Sequence, residues 1–315
     1  MSKVYITDYI NNPDIEEKIL GSEVIADSIT DSIEVLLVWH QKIDEEYLSQ
    51  FPKLRGVVRY GVGYDNIDLG AIRSRGIVFC NTPDYGTDEV SDSALGMILT
   101  LTRGIHSYNL TSKKLDLTWQ ENTINNLKRS SELEIGVIGA GRIGTSLIRK
   151  ARAIGFKVSF FDPYKPSGYE KAIACNRYYE MQELLGNADI ISIHTPLTNE
   201  TRGLVDKDFL EKLKDGAYLI NTARGEIIQD LDKLHNALQT QKLSGLGLDV
   251  LPKEPPESCE LITKWRTCDE FIDHRIIINP HTSYYSKESY LEMRVKASQN
   301  VKRIIDNKKP MNLIS

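Results

Sequence analysis

Cysteine is scarce: Cys80, Cys175, Cys259 and Cys268 are scattered through 315 residues without short paired spacings. That pattern excludes a disulfide framework, gives no closed tetrahedral zinc site, and makes a reducing cytoplasm the simplest setting. Long apolar runs are missing as well. The best candidates, Val35 to Trp39 and Ala94 to Leu101, suit a buried strand and a core helix, and both fall far short of the roughly 20 residues that span a bilayer. Met1 to Ile10 has neither the apolar h-region nor the small-residue cleavage site of a secretory leader, so none is expected. Basic charge is not in excess, since 39 Lys+Arg face 44 Asp+Glu for a net charge of −5. No global attraction for nucleic acid or anionic lipid follows, and any anionic ligand has to be captured locally. Two catalytic signatures are absent too. Without G-x-x-x-x-G-K-[ST] a P-loop NTPase is set aside, and without Tyr-x-x-x-Lys a short-chain dehydrogenase has no catalytic base.

What is present is the composition of a globular protein, 41% hydrophobic and 26% charged, in a chain long enough for two domains of about 150 residues. Short β-rich runs alternate with helical stretches from residue 3 to 82: Val4 to Ile6, Val24 to Ala26, Val35 to His40, Gly56 to Tyr60 and Ile77 to Cys80. This rhythm predicts a parallel α/β unit. Asp88 to Thr102 reads as a connecting helix. A second series then supplies six strands, Glu134 to Ile138, Val158 to Phe161, Asp189 to His194, Ala217 to Ile220, Gly245 to Asp249 and Ile276 to Ile278, as a doubly wound dinucleotide-binding sheet requires. Lys287 to Asp306 is again helical and is expected to return to the first domain. His106 to Ser131 is polar apart from Leu110, Leu115, Leu117 and Trp119, and fits a solvated loop or an exposed arm making a dimer contact.

The chemistry begins at Ile135-Gly-Val-Ile-Gly139-Ala-Gly141-Arg-Ile-Gly144, a strand running into G-x-G-x-x-G and then a helix. Gly139 permits the tight turn, Gly141 the approach of a pyrophosphate and Gly144 the close packing of helix on strand. The next strand ends at Asp162, where a carboxylate can accept from ribose hydroxyls and repel a 2′-phosphate, favouring NAD over NADP, although Lys165 stands nearby. Of six histidines, His281 follows a strand and a proline in Asn279-Pro-His281, and His194 occupies a similar strand end. Open α/β sheets bind ligands at such ends.

Asn221-Thr-Ala-Arg224-Gly, Leu248-Asp249-Val-Leu-Pro-Lys-Glu254-Pro and Asn279-Pro-His281 resemble, in order and spacing, the three signatures of the D-isomer-specific 2-hydroxyacid dehydrogenase family. Tyr60-Gly-Val-Gly-Tyr-Asp-Asn-Ile-Asp68 and Asn81-Thr-Pro-Asp-Tyr-Gly-Thr-Asp-Glu-Val90 look like two more. Val38-Trp-His40, Val58-Arg59-Tyr-Gly, Asp162-Pro-Tyr164 and His281-Thr-Ser-Tyr284-Tyr-Ser286 resemble most the branch that contains the C-terminal-binding proteins, with Tyr284 where that branch usually has Trp.

The resemblance implies an α/β chain of two doubly wound parallel-sheet domains: a flavodoxin-like substrate domain over 1–102 plus 286–315, and a Rossmann NAD-binding domain over 103–285. It implies hydride transfer between a nicotinamide and C2 of a small 2-hydroxy or 2-oxo acid, with His281 as general acid/base, Glu254 as its carboxylate partner and Arg224 gripping the substrate's carboxylate and oxo oxygen. Those roles suit the residue types, because a developing alkoxide needs a proton donor, a carboxylate stabilises an imidazolium, and Arg presents a planar fork. Backbone N–H groups of Val62 and Gly63 would complete the carboxylate clamp. His40, Arg59 and Tyr284 would form the side-chain wall. Cofactor contacts would come from Gly139, Gly141, Arg142, Ile143, Gly144, Asp162, His194, Thr195, Thr222, Ala223 and Asp249. No metal is implied, and a homodimer is expected. Since Val38-Trp-His-Gln41 lacks closely spaced arginines, phosphorylated substrates are less attractive. A second reading is an NAD(H)-gated binding protein with vestigial chemistry. The presence of all three catalytic residue types favours the enzyme.

Overall fold

The β-rich runs of the first 86 residues form one parallel sheet in the computed structural model, which describes residues 3–115, 119–125 and 127–315. Its strands are β1 (Val4–Ile6), β2 (Ile25–Ala26), β3 (Val35–Val38), β4 (Gly56–Arg59) and β5 (Val78–Cys80), in the flavodoxin-like order β2-β1-β3-β4-β5. Every residue of β3 is buried, as a strand covered on both faces requires. The Lys287–Ile305 helix packs on β3 and β4. Gly56 makes that contact possible, since the Ile304 side chain lies 2.9 Å from where a Cβ would sit. Arg55 fixes the helix end, donating to the carbonyls of Ile304 and Ile305 at 2.6 and 3.0 Å, where a cation meets the negative end of the helix.

The second sheet contains β6 (Glu134–Ile138), β7 (Lys157–Phe161), β8 (Asn176–Arg177), β9 (Ile190–Ile193), β10 (Ala217–Asn221), β11 (Leu243–Leu248) and β12 (Ile276–Ile278). All are parallel, in the order β12-β11-β10-β9-β6-β7-β8. The chain therefore reverses its direction of winding between β6 and β9, the switch point at which such sheets open a ligand crevice. Strand β8 is the one the sequence does not announce: two polar residues carry no apolar alternation.

Contacts divide the chain into Met1–Gly86 with Tyr285–Ser315, and Thr87–Tyr284. The expected boundary after Thr102 is thus too late, and that near 285 is off by one residue. The Thr87–Thr102 helix belongs to the larger unit because it lies directly on β11, whose Gly245 and Gly247 leave room for Leu101 and Met97. Its Ala94, Leu95, Met97, Ile98 and Leu101 join a core with Ile135, Val137, Leu147, Phe160 and Ile220. The start of the polar 106–131 segment is more ordered than its sequence suggests. A helix, Ile105–Ser112, is pinned by His106 Nε2 against the Asp273 carbonyl (2.9 Å) and by Ser107 Oγ against His274 Nδ1 (2.7 Å). Trp119 is exposed, and Leu117 lies outside the described residues. Among the described residues no helix is long and apolar enough to cross a membrane.

Candidate active site

The glycine loop leaves β6 at the switch point, and its three glycines divide their work. Gly139 has φ +92° and a Cβ there would stand 2.8 Å from the His194 carbonyl oxygen, while one on Gly144 would stand 2.0 Å from the Gly139 oxygen. Both are demanded by the fold itself. Around Gly141, by contrast, a Cβ would meet no atom within 4 Å, and the Arg142–Ile154 helix starts at the next residue. The backbone of Gly141 and the first-turn N–H groups of Arg142 and Ile143 therefore border open space of the kind a pyrophosphate occupies. Asp162 is buried, and its carboxylate accepts from Ala140 N (2.9 Å) and Tyr164 N (3.0 Å), tying the glycine loop to the end of β7. With two oxygens it retains acceptor capacity for a ribose hydroxyl.

Three polar atoms at the ends of β9 and β10 are buried without a hydrogen-bond partner: His194 Nδ1, Thr195 Oγ1 and Thr222 Oγ1. Buried polar groups are normally satisfied, so a cluster of orphans at a switch point marks a ligand's place. Burial pushes the His194 imidazole down to about 4, leaving it neutral near pH 7, with Nε2 2.8 Å from Ser192 Oγ. The open approach at Gly141, the free helix start and the orphaned donors and acceptors together fit a dinucleotide. Ala223 is less direct, since its N–H is taken by Asn221 Oδ1 at 3.0 Å.

Two loops then bring Arg224, Glu254 and His281 to one end of the larger sheet. Asn221 closes the first by donating to the Arg224 carbonyl at 2.8 Å. Gly225 follows, and a Cβ there would stand 1.9 Å from the Leu251 oxygen, so only glycine lets the Arg224 turn lie against the Leu251–Glu254 loop. Within that loop Leu251 N donates to Glu254 Oε1 (2.9 Å), and Glu254 Oε2 meets His281 Nδ1 at 2.7 Å. Burial pushes the Glu254 carboxyl up, but the hydrogen bond and charge of His281, the Leu251 N–H and the charge of Arg224 outweigh it and hold Glu254 below the usual carboxylate range. An ionised carboxylate cannot donate, so Nδ1 carries the proton of this contact and Nε2 stays outside it.

His281 itself sits in the left-handed region (φ 56°), an uncommon conformation for this residue type. Asp249 sustains it. Its carbonyl accepts from His281 N at 2.8 Å, and its carboxylate accepts from Thr282 N and Ser283 N at 3.0 and 3.1 Å. Burial pushes the Asp249 carboxyl up, against those hydrogen bonds and the charge of His281. Anchoring the His281 turn is a role that the motif reading, which lists Asp249 with the cofactor contacts, does not contain. A cavity of about 440 Å³ between the Thr87–Thr102 helix and β12, lined by Met97, His106, Trp265 and Asp273 among others, includes none of Arg224, Glu254 and His281 and is not the reaction site.

The remaining expected residues fall in two places. Tyr284 ends the larger unit three residues after His281. His40, Arg59, Val62 and Gly63 share the carboxyl edge of the smaller sheet, after β3 and β4. There Asn81 Nδ2 donates to the Val62 carbonyl (2.7 Å), Thr82 Oγ1 to the Arg59 carbonyl (3.1 Å), and Arg59 Nε reaches Asn66 Oδ1 at 3.4 Å.

Residues 95–283 match the family described as D-isomer specific 2-hydroxyacid dehydrogenase, NAD binding domain. C-terminal-binding protein 1 of Caenorhabditis elegans is 31% identical over 99% of this chain, and D-3-phosphoglycerate dehydrogenase of Bacillus subtilis 33% identical over 96%. The chain spans 41% and 56% of the lengths of those two relatives. The crystal structure of D-lactate dehydrogenase from Aquifex aeolicus, complexed with NAD and lactic acid, superposes with a TM-score of 0.84 at 29% identity, covering 99% of both chains.

Proposed function

Because the chain belongs to the D-isomer specific 2-hydroxyacid dehydrogenase family and binds NAD, we propose that it is an oxidoreductase interconverting a 2-oxo acid and the D-2-hydroxy acid. The observation that carries this reading is the 2.7 Å contact between His281 Nδ1 and a Glu254 carboxylate held ionised. Gly139, Gly141, Gly144 and the Arg142–Ile154 helix start would hold the pyrophosphate, Asp162 the adenosine ribose, and His194, Thr195 and Thr222 the cofactor's remaining polar groups. When bound, NADH supplies the hydride that reduces C2, and NAD accepts it in the reverse direction.

The protein supplies the proton and the grip. In reduction, His281 Nε2–H gives its proton to the oxygen forming at C2, and Glu254 stabilises the imidazolium beforehand and orients it through Nδ1. Arg224 offers a fork to the substrate's carboxylate and oxo oxygen, drawing charge onto the oxygen that will be protonated. Backbone N–H groups of Val62 and Gly63 are assigned to the same carboxylate, and His40, Arg59 and Tyr284 to the substrate side chain. A cytoplasmic homodimer is the setting proposed.

The test is NADH oxidation with a panel of 2-oxo acids, in the native protein and in His281→Ala. Turnover that falls by about 10² to 10⁴ in the variant with NADH affinity retained supports the enzyme. Tight NADH binding with no turnover of any acid would contradict it. It would favour an NAD(H)-gated binding protein instead.

A further inference from the structure

Ala140, between the first two glycines of the loop, has both its backbone polar groups held from the stretch that follows β7. Gly139 N donates to the Phe161 carbonyl at 2.9 Å, and Ala140 N to Asp162 Oδ2 at 2.9 Å. The carbonyl of Ala140, a fully buried residue, accepts from two hydroxyls, Thr145 Oγ1 at 3.0 Å and Tyr169 Oη at 3.1 Å. Those two oxygens stand 2.8 Å apart. Each hydroxyl has one hydrogen, so when one gives its own to the other, the second still donates to the carbonyl. Thr145 belongs to the helix that follows the loop, whereas Tyr169 arrives from 24 residues further on.

Tyr169 opens the short helix Tyr169–Ala172 between β7 and β8. Its ring stands edge-on to that of the buried Phe160, with 6.0 Å between centroids. The loop that delivers it is fixed by Arg177 of β8, whose guanidinium donates to the carbonyls of Asp162 (2.8 Å), Lys165 (2.9 Å) and Pro166 (3.3 Å). The strand that the sequence does not announce thus holds the segment carrying both Asp162 and Tyr169. All of these residues lie in the larger unit.

A trans peptide is planar, with its C=O and N–H pointing in opposite directions. The Ala140–Gly141 peptide is trans. Holding its carbonyl toward Thr145 and Tyr169 therefore turns the Gly141 N–H away from them. We propose that Tyr169, together with Thr145, is a positioning residue for NAD: by gripping the Ala140 carbonyl it fixes the peptide whose N–H serves the pyrophosphate, and it ties that peptide to the loop that presents Asp162 to the ribose. This rests on the assignment of the pyrophosphate to the glycine loop and is independent of turnover. Tyr169 acts through the peptide, in advance of binding, so that the loop does not have to be ordered by the cofactor.

The experiment measures dissociation constants for NADH by fluorescence titration and for ADP-ribose, which keeps the pyrophosphate and lacks the nicotinamide, by displacement of NADH. Tyr169→Phe keeps the ring on Phe160 and leaves Thr145 to bond the carbonyl, so the protein should melt like the native one. Both ligands should bind about fivefold more weakly, the worth of one hydrogen bond. In steady-state assays KM for NADH should rise with kcat unchanged. Adding Thr145→Val removes both hydroxyls from one carbonyl, and the loss should exceed the product of the two single losses. Unchanged affinity in Tyr169→Phe would overturn the proposal, as would losses that merely multiply, or a loss for NADH that ADP-ribose does not share. Failure of the native protein to bind ADP-ribose would remove the pyrophosphate assignment itself and the proposal with it, whereas native binding with an unaffected Tyr169→Phe removes the proposal alone.

Discussion

Two carboxylates of the molecule, Glu16 and Glu254, meet basic side chains in arrangements built to contrary ends. In the smaller unit Arg294 grips Glu16 through Nε at 3.0 Å and Nη2 at 2.5 Å, reaches Asp14 at 2.9 Å and the Asn12 carbonyl at 2.8 Å, and Tyr60 donates its hydroxyl to Glu16 at 2.9 Å. Glu16 is fully buried and Arg294 only 5% exposed. In the larger unit the His281 and Glu254 side chains remain 39% and 37% accessible, and one ring nitrogen is outside the pair. A buried pair with its acceptors saturated cannot exchange a proton and serves to fix backbone, here the start of the Tyr60-Gly61-Val62-Gly63 loop. The open pair is held together by one contact, and the proton transfer proposed for His281 falls where the network is left incomplete.

The largest effects should follow from exchanging these fates. His281→Ala should lower turnover by about 10² to 10⁴ while costing only about 1 kcal/mol of stability, because the side chain is partly exposed and the Leu251 N–H and the charge of Arg224 still attend the Glu254 carboxylate it leaves. Denaturant unfolding beside steady-state rates checks both halves. Arg294→Met reverses the pattern. It leaves the Glu16 carboxylate buried without its cation, and should destabilise by about 3 to 5 kcal/mol in urea unfolding. A loss below about 1 kcal/mol would mean that the buried contact does not hold this backbone and would contradict the contrast between the pairs.

A smaller effect tests the nucleotide crevice. Gly141→Ala meets no protein atom within 4 Å and should leave the melting temperature nearly unchanged, yet should weaken NADH binding by about tenfold or more, since its methyl group enters the space assigned to the pyrophosphate. Gly144→Ala, whose Cβ would strike the Gly139 oxygen at 2.0 Å, should instead lose stability. Equal behaviour of the two variants in a binding titration would erase the distinction drawn between them.

The features that were legible in the sequence are those written in contiguous residues. The glycine loop, Asn221 to Gly225, and Asn279-Pro280-His281 each follow a strand within a few positions, so the two parallel α/β sheets, the NAD-binding crevice and the candidate trio Arg224, Glu254 and His281 can be named without coordinates. What was not legible depends on distant backbone meeting in space. Arg294 and Glu16 are 278 residues apart, and Asp8, just past β1, accepts from backbone N–H groups 31 to 33 residues on. Asp249 was placed by motif, but its hold on the His281 turn appears only when Thr282 and Ser283 N–H are seen against its carboxylate. The boundary after Thr102 failed for a related reason. Glycines in β11 decide where the Thr87–Thr102 helix packs, and they lie far along the chain.

The pH profile of 2-oxo acid reduction in the native protein and in Glu254→Gln tests most directly that the open pair transfers the proton. Reduction consumes a proton delivered by His281, so kcat/KM falls as pH rises. The Glu254 carboxyl lies below its ordinary range, so in the native protein its charge is present through neutral and mildly acidic pH and is lost only as pH falls through that lowered value. The amide removes the charge at every pH, the imidazolium loses its partner, and the limb should move to lower pH by about one unit. Superimposable profiles for the two proteins would contradict the account, because the carboxylate 2.7 Å from the proposed proton donor would then have no part in proton transfer.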